Sequence, residues 1–449
     1  MQHLWFEHVL LPQGWARQVR IGIEGGRIAS VEMGLAPQPE DSRHAAAIPG
    51  LCNVHSHGFQ RGMAGLSERR SRPDDDFWSW REVMYRFLGQ LTPEGIEAIT
   101  AQAYVEMLES GYTRVGEFHY LHNDIDGGCY ADPAETAGAI VAAAETAGIG
   151  LTLLPVFYAH ADFGGAPPAP GQKRFVYDLD GFARLVEASR AKLPADANLG
   201  IAPHSLRAVT PDELRTILPL ADGGPIHIHA AEQVKEVEAC LAWSGARPVE
   251  WLLDNAQVDA RWCLVHSTHL DERECQRLAA SGAVAGLCPV TEANLGDGTF
   301  PAIAYLEAGG RFATGTDSNI LIDAASELRA LEYSQRLAQR RRALLADDKT
   351  PSVGQRLFDA ALAGGAQALG VETGLAVGAP ADLVALDLTH TAFAGADDAT
   401  LLDRWIFAAG RSAVDAVWRG GVRCVSNGRH VAAQAVASRY RRTLEKLLA

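Results

Sequence analysis

Between residues 51 and 315 the chain carries eight short apolar runs, at 51–55, 113–118, 150–158, 198–202, 225–229, 263–266, 283–288 and 311–315. Helix-like stretches separate them, among them 92–109, 133–147, 179–192, 211–221 and 234–243. Thr92-Pro93-Glu94 and Thr210-Pro211-Asp212-Glu213 place a threonine cap and a first-turn proline at two of the helix starts. Repetition of strand and helix marks a parallel α/β architecture, and eight units predict an α/β protein built on a (β/α)8 TIM-like barrel. Functional groups then belong at the C-terminal ends of the strands.

The flanks do not continue this pattern. Alternating segments from residue 4 to about 33 break at Glu24-Gly25-Gly26, and strand signals return at 381–388 and 414–425, where Gly420-Gly421 marks a hairpin. Helical runs at 326–345 and 353–369 precede that return. The two termini are expected to pair as a small β-sandwich domain, with residues 1–48 as its first part and 371–449 as its second. The second part ends in a helix over 432–448, and residues 49–370 form the barrel. A length of 449 residues suits one large domain with a smaller one. Insertions at 58–91 and 160–178, after the first and third strands, are expected to be loop-rich and to shape or cover the pocket.

Composition excludes several functions. With 40 Lys and Arg against 55 Asp and Glu, a formal net charge of -15 argues against nonspecific binding to nucleic acid or an anionic membrane. The N-terminal residues lack a basic region followed by an apolar run, and no later stretch approaches a membrane span, so a cytoplasmic protein is expected. Seven scattered cysteines (Cys52, Cys129, Cys240, Cys263, Cys275, Cys288, Cys424) without C-x-x-C spacing predict neither a disulfide framework nor a thiolate zinc site.

The predicted strand ends supply the chemistry. The stretch 49–58 reads Pro-Gly-Leu-Cys-Asn-Val-His-Ser-His-Gly, and on an extended strand His55 and His57 share one face, as two ligands of one metal ion would. The pair alone is a weak signal. The fourth run leads into His204, the fifth carries His227 and His229 with Glu232 just beyond, the sixth ends at His266, and the eighth reaches Asp317. His229, nearer the rim and Glu232, is preferred as a third ligand, and His227, one layer deeper, as a hydrogen-bonded core residue. Glu232 also suits the first turn of a helix, Asp317 an N-cap and His266 a structural role, so the weight rests on the constellation.

These motifs resemble a family. Pro-Gly-Leu-x-Asn-x-His-x-His, His-Ala-Ala-Glu, Leu-Val-His, Gly-Thr-Asp-Ser and Gly-Ala-Pro-Ala-Asp-Leu-Val-Ala-Leu-Asp, in this order over nearly the whole chain, resemble the amidohydrolase superfamily. The resemblance implies one divalent metal per chain, zinc or alternatively Fe2+ or another divalent ion, held by His55, His57, His229 and Asp317. Glu232, His266 and Asp317 would be catalytic, activating and orienting a metal-bound hydroxide. No lysine ends the fourth strand, where dinuclear members carry a bridging modified lysine, which favours one metal.

Narrower segments are similar to the formimidoylglutamate deiminase family: His-Gly-Phe-Gln-Arg-Gly-Met-Ala-Gly-Leu, Phe-Trp-Ser-Trp-Arg-Glu-Val-Met-Tyr, Gly-Glu-Phe-His-Tyr and Pro-His-Ser-Leu-Arg-Ala-Val. That similarity implies hydrolytic deimination of N-formimino-L-glutamate to N-formyl-L-glutamate and ammonia in histidine degradation, by a homodimer. Substrate contacts would be Gln60, Arg81, Tyr120, His204 and Arg207.

A dicarboxylate entering so acidic a protein needs local cations, and the guanidinium groups of Arg81 and Arg207 can hold carboxylates in bidentate fashion. Either also suits a surface ion pair. Arg61, Arg69, Arg70 and Arg72 would add to the local field or stay solvated. One rival is a guanine-type or other aromatic deaminase, for which Trp78 and Trp80 would stack a ring. Another is a non-catalytic scaffold, against which the complete ligand set and Glu232 stand.

Overall fold

The computed structural model describes residues 1–69 and 77–449, so Arg70, Arg72 and the side chain of Trp78 lie outside the described residues. The alternating N-terminal run folds as β1 (Gln2–Leu11), β2 (Gly14–Glu24) and β3 (Arg27–Glu32), and β4 (Ser42–Pro49) leads into the barrel. Gly25 and Gly26, at φ 57° and 79°, form the β2–β3 turn in the left-handed region that favours glycine.

Each of the eight apolar runs becomes a barrel strand. These are β5 (Leu51–Ser56), β6 (Tyr112–His119), β7 (Gly150–Phe157), the short pair β8 (Asn198–Leu199) and β9 (Ala202–Pro203), β10 (Ile226–Ala230), β11 (Trp262–His266), β12 (Val284–Leu287) and β13 (Arg311–Thr314). Parallel pairing joins β5 through β8 and β10 through β13. Single bridges Ile201–Ile226 and Ser205–His229 connect the fourth strand to the fifth, and Ser56–Asp317 connects the eighth to the first, so the ring closes. The fourth strand, expected as one run, is interrupted: Pro203 has no N–H to give, and a Cβ on Gly200 would lie 2.3 Å from the Pro225 carbonyl oxygen. Every residue of β5, β6 and β7 is buried, as a parallel sheet covered on both faces requires.

Helices Pro93–Leu108, Glu135–Ala147, Leu179–Lys192, Val234–Ser244 and Val353–Leu369 fall close to their expected positions. The run expected over 326–345 is the helix Ala324–Gln339, which stops where Arg340 turns left-handed at φ 54°. The first insertion is not simply loop-rich. It contains the helix Phe77–Leu88, whose Met84, Phe87 and Leu88 recur at helical spacing and are buried in the barrel core. No helix among the described residues is long and apolar enough to cross a membrane. All seven cysteines are free, and all but Cys129 are buried.

At the C-terminus come β14 (Leu383–Leu386), β15 (Val414–Arg419), β16 (Val422–Ser426), β17 (Arg429–His430) and the helix Ala433–Leu447. Both ends of the chain share one sheet, in the order β17-β16-β15-β14-β4-β1-β2-β3, with β1 and β4 parallel. The sheet curls on itself. Trp418 and Phe6, three strands apart in that order, bring their ring centroids to 6.4 Å, and a Cβ on Gly421 would lie 2.7 Å from Ile23 Cγ2. Inside the curl Leu4, Phe6, Val19, Ile21, Leu383 and Trp418 form an apolar core separate from that of the barrel. Arg114 Nε donates to Asp382 Oδ2 at 3.0 Å, tying β6 to the segment before β14.

Candidate active site

The barrel closes where β5 and β13 meet, through the backbone of the predicted ligands themselves. Asp317 N–H donates to the His55 carbonyl and His57 N–H to the Asp317 carbonyl, each at 2.9 Å. Gly315 is required for this approach, since a Cβ there would lie 2.7 Å from His55 N. Asn53 Nδ2 donates to Thr316 Oγ1 at 2.6 Å, and Asn319 Nδ2 reaches Ser56 Oγ and the carbonyls of His57 and Asp317 at 3.1–3.2 Å. Ala231, His266, Ser267, Asp317 and Asn319 all have positive φ between 44° and 66°. Three strand ends therefore hold strained turns that the surrounding bonds must maintain.

Four donors converge at this seam. His55 Nε2 lies 3.1 Å from His229 Nε2 and 3.4 Å from Asp317 Oδ1, and His57 Nε2 lies 3.3 Å from the same oxygen. The Nδ1–H of His57 donates to the Phe118 carbonyl at 2.9 Å and that of His229 to the His204 carbonyl at 3.0 Å. Both rings therefore present bare Nε2 lone pairs to the cluster. Burial pushes His55 down to about 3 and lowers His57 and His229 as well, so all three are neutral, the state in which imidazole binds a metal. Lone pairs and a carboxylate oxygen at this spacing repel unless a cation lies among them, and three imidazoles with one carboxylate suit zinc or another borderline divalent ion.

Beside the cluster His266 behaves differently. Its Nε2 is 3.8 Å from Glu232 Oε1, and its Nδ1 donates to Glu292 Oε1 at 3.3 Å. Burial opposes its charge, yet the carboxylates of Glu232, Glu292 and Asp317 outweigh burial and raise it to about 10. Burial raises the Glu232 carboxyl, and the charge of His266 works against that rise. The turn carrying Glu232 is fixed from below, where Glu236 accepts the N–H groups of Ala231 and Glu232 at 3.2 and 3.1 Å.

A cavity of about 60 Å³ opens above these groups. His57, His229, Glu232, His266 and Asp317 form its floor with Gln60, Arg81, Tyr120, His204 and Arg207 around them, while His55 lies beneath, 0% exposed. The predicted residues are thus brought together. Gln60 Nε2 donates to Tyr120 Oη at 2.9 Å, and Arg81 Nη2 to Tyr158 Oη at 3.0 Å. His227 is 0% exposed and donates to the Ala368 carbonyl at 2.8 Å, a core histidine as expected. Arg61 does not contribute a field to the cavity: its guanidinium pairs with Glu106 and donates to the carbonyls of Asn319 and Ile320. Arg69 is exposed.

Sequence reasoning missed Met84, Tyr158, Phe175 and Leu295 in the wall, and Glu292 behind His266. Trp80, considered only for the aromatic rival, also lines the cavity. Tyr158 follows directly on β7, so the strand-end rule extended to every strand would have found it.

A family model described as "Amidohydrolase family" matches residues 46–424, and one described as "Formimidoylglutamate deiminase HutF, N-terminal domain" matches residues 1–45. A formimidoylglutamate deiminase of Pseudomonas aeruginosa is 50% identical over 452 residues, covering 100% of both chains. A 5-methylthioadenosine/S-adenosylhomocysteine deaminase of Natronomonas pharaonis is 29% identical over 81% of this chain and 78% of its own. Among solved structures, an amidohydrolase from Brucella melitensis superposes with TM-score 0.97 at 54% identity, covering 100% of both chains. An adenosine deaminase from Xanthomonas campestris with bound zinc reaches 0.82 at 23% identity, covering 100% of this chain and 98% of its own, which bears on the fold alone.

Proposed function

The chain belongs to the amidohydrolase family, and from that premise we propose that it hydrolyses N-formimino-L-glutamate to N-formyl-L-glutamate and ammonia, a step of histidine degradation. One observation carries the reading: a single cavity joins a three-histidine, one-carboxylate cluster and Glu232 to two guanidinium groups, Arg81 and Arg207. The full-length relative at 50% identity supports the same substrate.

His55, His57, His229 and Asp317 hold one divalent metal, zinc in our reading, and when bound it supplies Lewis-acid activation of the attacking water. Glu232, whose carboxyl burial has raised, takes a proton from that water as the new C–O bond forms at the amidine carbon. With the substrate bound as its amidinium, Glu232 returns that proton to the departing nitrogen; the C–N bond breaks, ammonia leaves, and the new hydroxyl gives up its own proton to solvent as the formyl C=O forms. His266, kept charged by its carboxylate neighbours, offers Nε2–H to the oxygen on which negative charge develops. Arg81 and Arg207 bind the two carboxylates, and Gln60, Tyr120 and His204 complete the contacts. A homodimer in the cytoplasm belongs to the same reading.

The test is ammonia release from N-formimino-L-glutamate, measured against guanine and S-adenosylhomocysteine. The dicarboxylate is expected to be the preferred substrate by a wide margin in kcat/KM. Activity on a purine alone would overturn the proposal in favour of an aromatic deaminase, for which the cavity's Trp80, Tyr120 and Phe175 would then be the stacking surfaces.

A further inference from the structure

Tyr158 stands in the cavity wall, 3% exposed, with its ring edge-on to His204 at a centroid distance of 4.7 Å and to Phe175 at 5.5 Å. Its phenol oxygen receives two hydrogen bonds from groups that can only donate, Arg81 Nη2 at 3.0 Å and Gln172 Nε2 at 2.6 Å. The Gln172 amide is fixed in that sense, because its Oε1 accepts the Ala169 N–H at 2.7 Å. Both lone pairs of the phenol are therefore engaged. Its hydrogen must point a third way, and among the described residues no acceptor takes it. A buried hydroxyl with its donor side unmatched, in the wall of a binding cavity, calls for an acceptor on the ligand.

We propose that the Tyr158 O–H donates to one carboxylate of the substrate beside Arg81, and that Gln172 is the positioning residue that aims it. The inference rests on the dicarboxylate reading above and adds a specificity-determining group to it. Accepting two hydrogen bonds, one of them from a cation, polarises the phenol and strengthens it as a donor to an anion. For a purine pocket this arrangement would be surplus, since a phenylalanine would supply the same ring.

The device also joins the two insertions over the site. Arg81 comes from the helix Phe77–Leu88 of the first insertion and Gln172 from the second. Next to Gln172, a Cβ on Gly171 would lie 2.8 Å from the ring of Tyr85, so that helix and that loop are in close contact. Tyr158, directly after a rigid barrel strand, is where both meet.

Steady-state kinetics on the metal-loaded enzyme test this with three substrates: N-formimino-L-glutamate and the two formimino analogues lacking either its α- or its γ-carboxylate. Tyr158→Phe is expected to raise KM for the dicarboxylate about tenfold with kcat nearly unchanged, the size of one charge-assisted hydrogen bond. On the analogue that lacks the carboxylate in question, the variant should match the wild type. Gln172→Leu, which leaves the phenol in place, should raise KM by about threefold in the same substrate-selective way, and it carries the test if Tyr158→Phe does not fold. A KM for Tyr158→Phe within twofold of wild type on the dicarboxylate overturns the inference, as does an equal loss on all three substrates. Wild-type enzyme that releases no ammonia from N-formimino-L-glutamate overturns the functional reading itself, and the carboxylate assignment with it.

Discussion

His57, His229 and His266 differ in charge because of what stands behind each ring. His57 and His229 give their Nδ1–H to backbone carbonyls, which carry no net charge, and burial keeps both neutral. His266 gives its Nδ1–H to Glu292 and faces Glu232 and Asp317, and three carboxylates reverse the effect of burial. Three neutral rings can bind a metal and one charged ring can stabilise an anion, so for His57, His229 and His266 the partner behind the imidazole assigns the role. Glu232 lies beside the charged ring, its Oε1 3.8 Å from His266 Nε2. Substituting Glu232→Gln keeps the shape and removes the proton acceptor: metal content measured by elemental analysis should stay at the wild-type level, while kcat falls about 10²–10⁴-fold. Wild-type turnover in that variant would remove Glu232 from the proposed proton path. Arg207→Met should act elsewhere, raising KM for the dicarboxylate by about 10–100-fold with a much smaller effect on kcat, because a carboxylate contact remote from the amidine carbon binds ground state and transition state alike.

At the scale of elements, the seam between β5 and β13 sets the geometry, and Asn319 is its clamp. Its amide bonds Ser56, His57 and Asp317 from the donor side and accepts from Thr316 Oγ1 at 2.6 Å, and Asn319 itself is 0% exposed with φ of 56°. Asn319→Ala removes these bonds, strands buried partners and places a Cβ residue without a stabilising amide in the left-handed region. A loss of about 2–4 kcal/mol in stability and a 10–100-fold weaker metal affinity are expected, read by thermal melts and by chelator competition. Asn319→Gly should recover only the backbone part of the stability loss; full recovery of metal affinity in it would show that the clamp is not what aligns the ligands. The strands were legible in the sequence because parallel strands buried on both faces read as unbroken apolar runs. Their ends named the histidines for the same reason. The helix Phe77–Leu88 was legible only in part: Met84, Phe87 and Leu88 carry the helical period, but the long charged run before it reads as loop. Glu292 escaped notice because its role comes from His266, 26 residues away, and although the strand-end position of Tyr158 was legible, its bond to Arg81, 77 residues away, was not.

For the whole molecule, burying so many neutral histidines has a consequence for its response to acid. Burial pushes His55 to about 3 and His122 and His227 to about 4, the last two donating to the carbonyls of Val156 and Ala368. In the unfolded chain each would titrate near 6.5. Between about pH 6.5 and 4 the unfolded state therefore takes up protons that the folded state refuses, so stability falls as pH falls, by about 3 kcal/mol for each histidine moved to about 4. Glu117 works the other way. Burial raises it to about 7, so the folded state takes its proton first, and stability rises as pH falls from 7 toward the unfolded carboxylate value near 4.5. Among the described residues burial lowers nine histidines and raises five carboxyls, Glu117, Glu232, Asp297, Glu327 and Asp359, so the histidines outnumber the groups that oppose them and set the sign. The metal-free protein is accordingly expected to lose several degrees in thermal midpoint between pH 7 and pH 5. The metal-loaded protein should lose more, because protonation of released ligands in the unfolded chain also competes with metal binding. Glu117→Gln, which still accepts the Gly58 N–H through its amide oxygen, removes one opposing carboxyl and should steepen the decline. A midpoint that holds constant across this range in the metal-free protein, or a decline unchanged by Glu117→Gln, would mean that the buried histidines and Glu117 do not control the acid response.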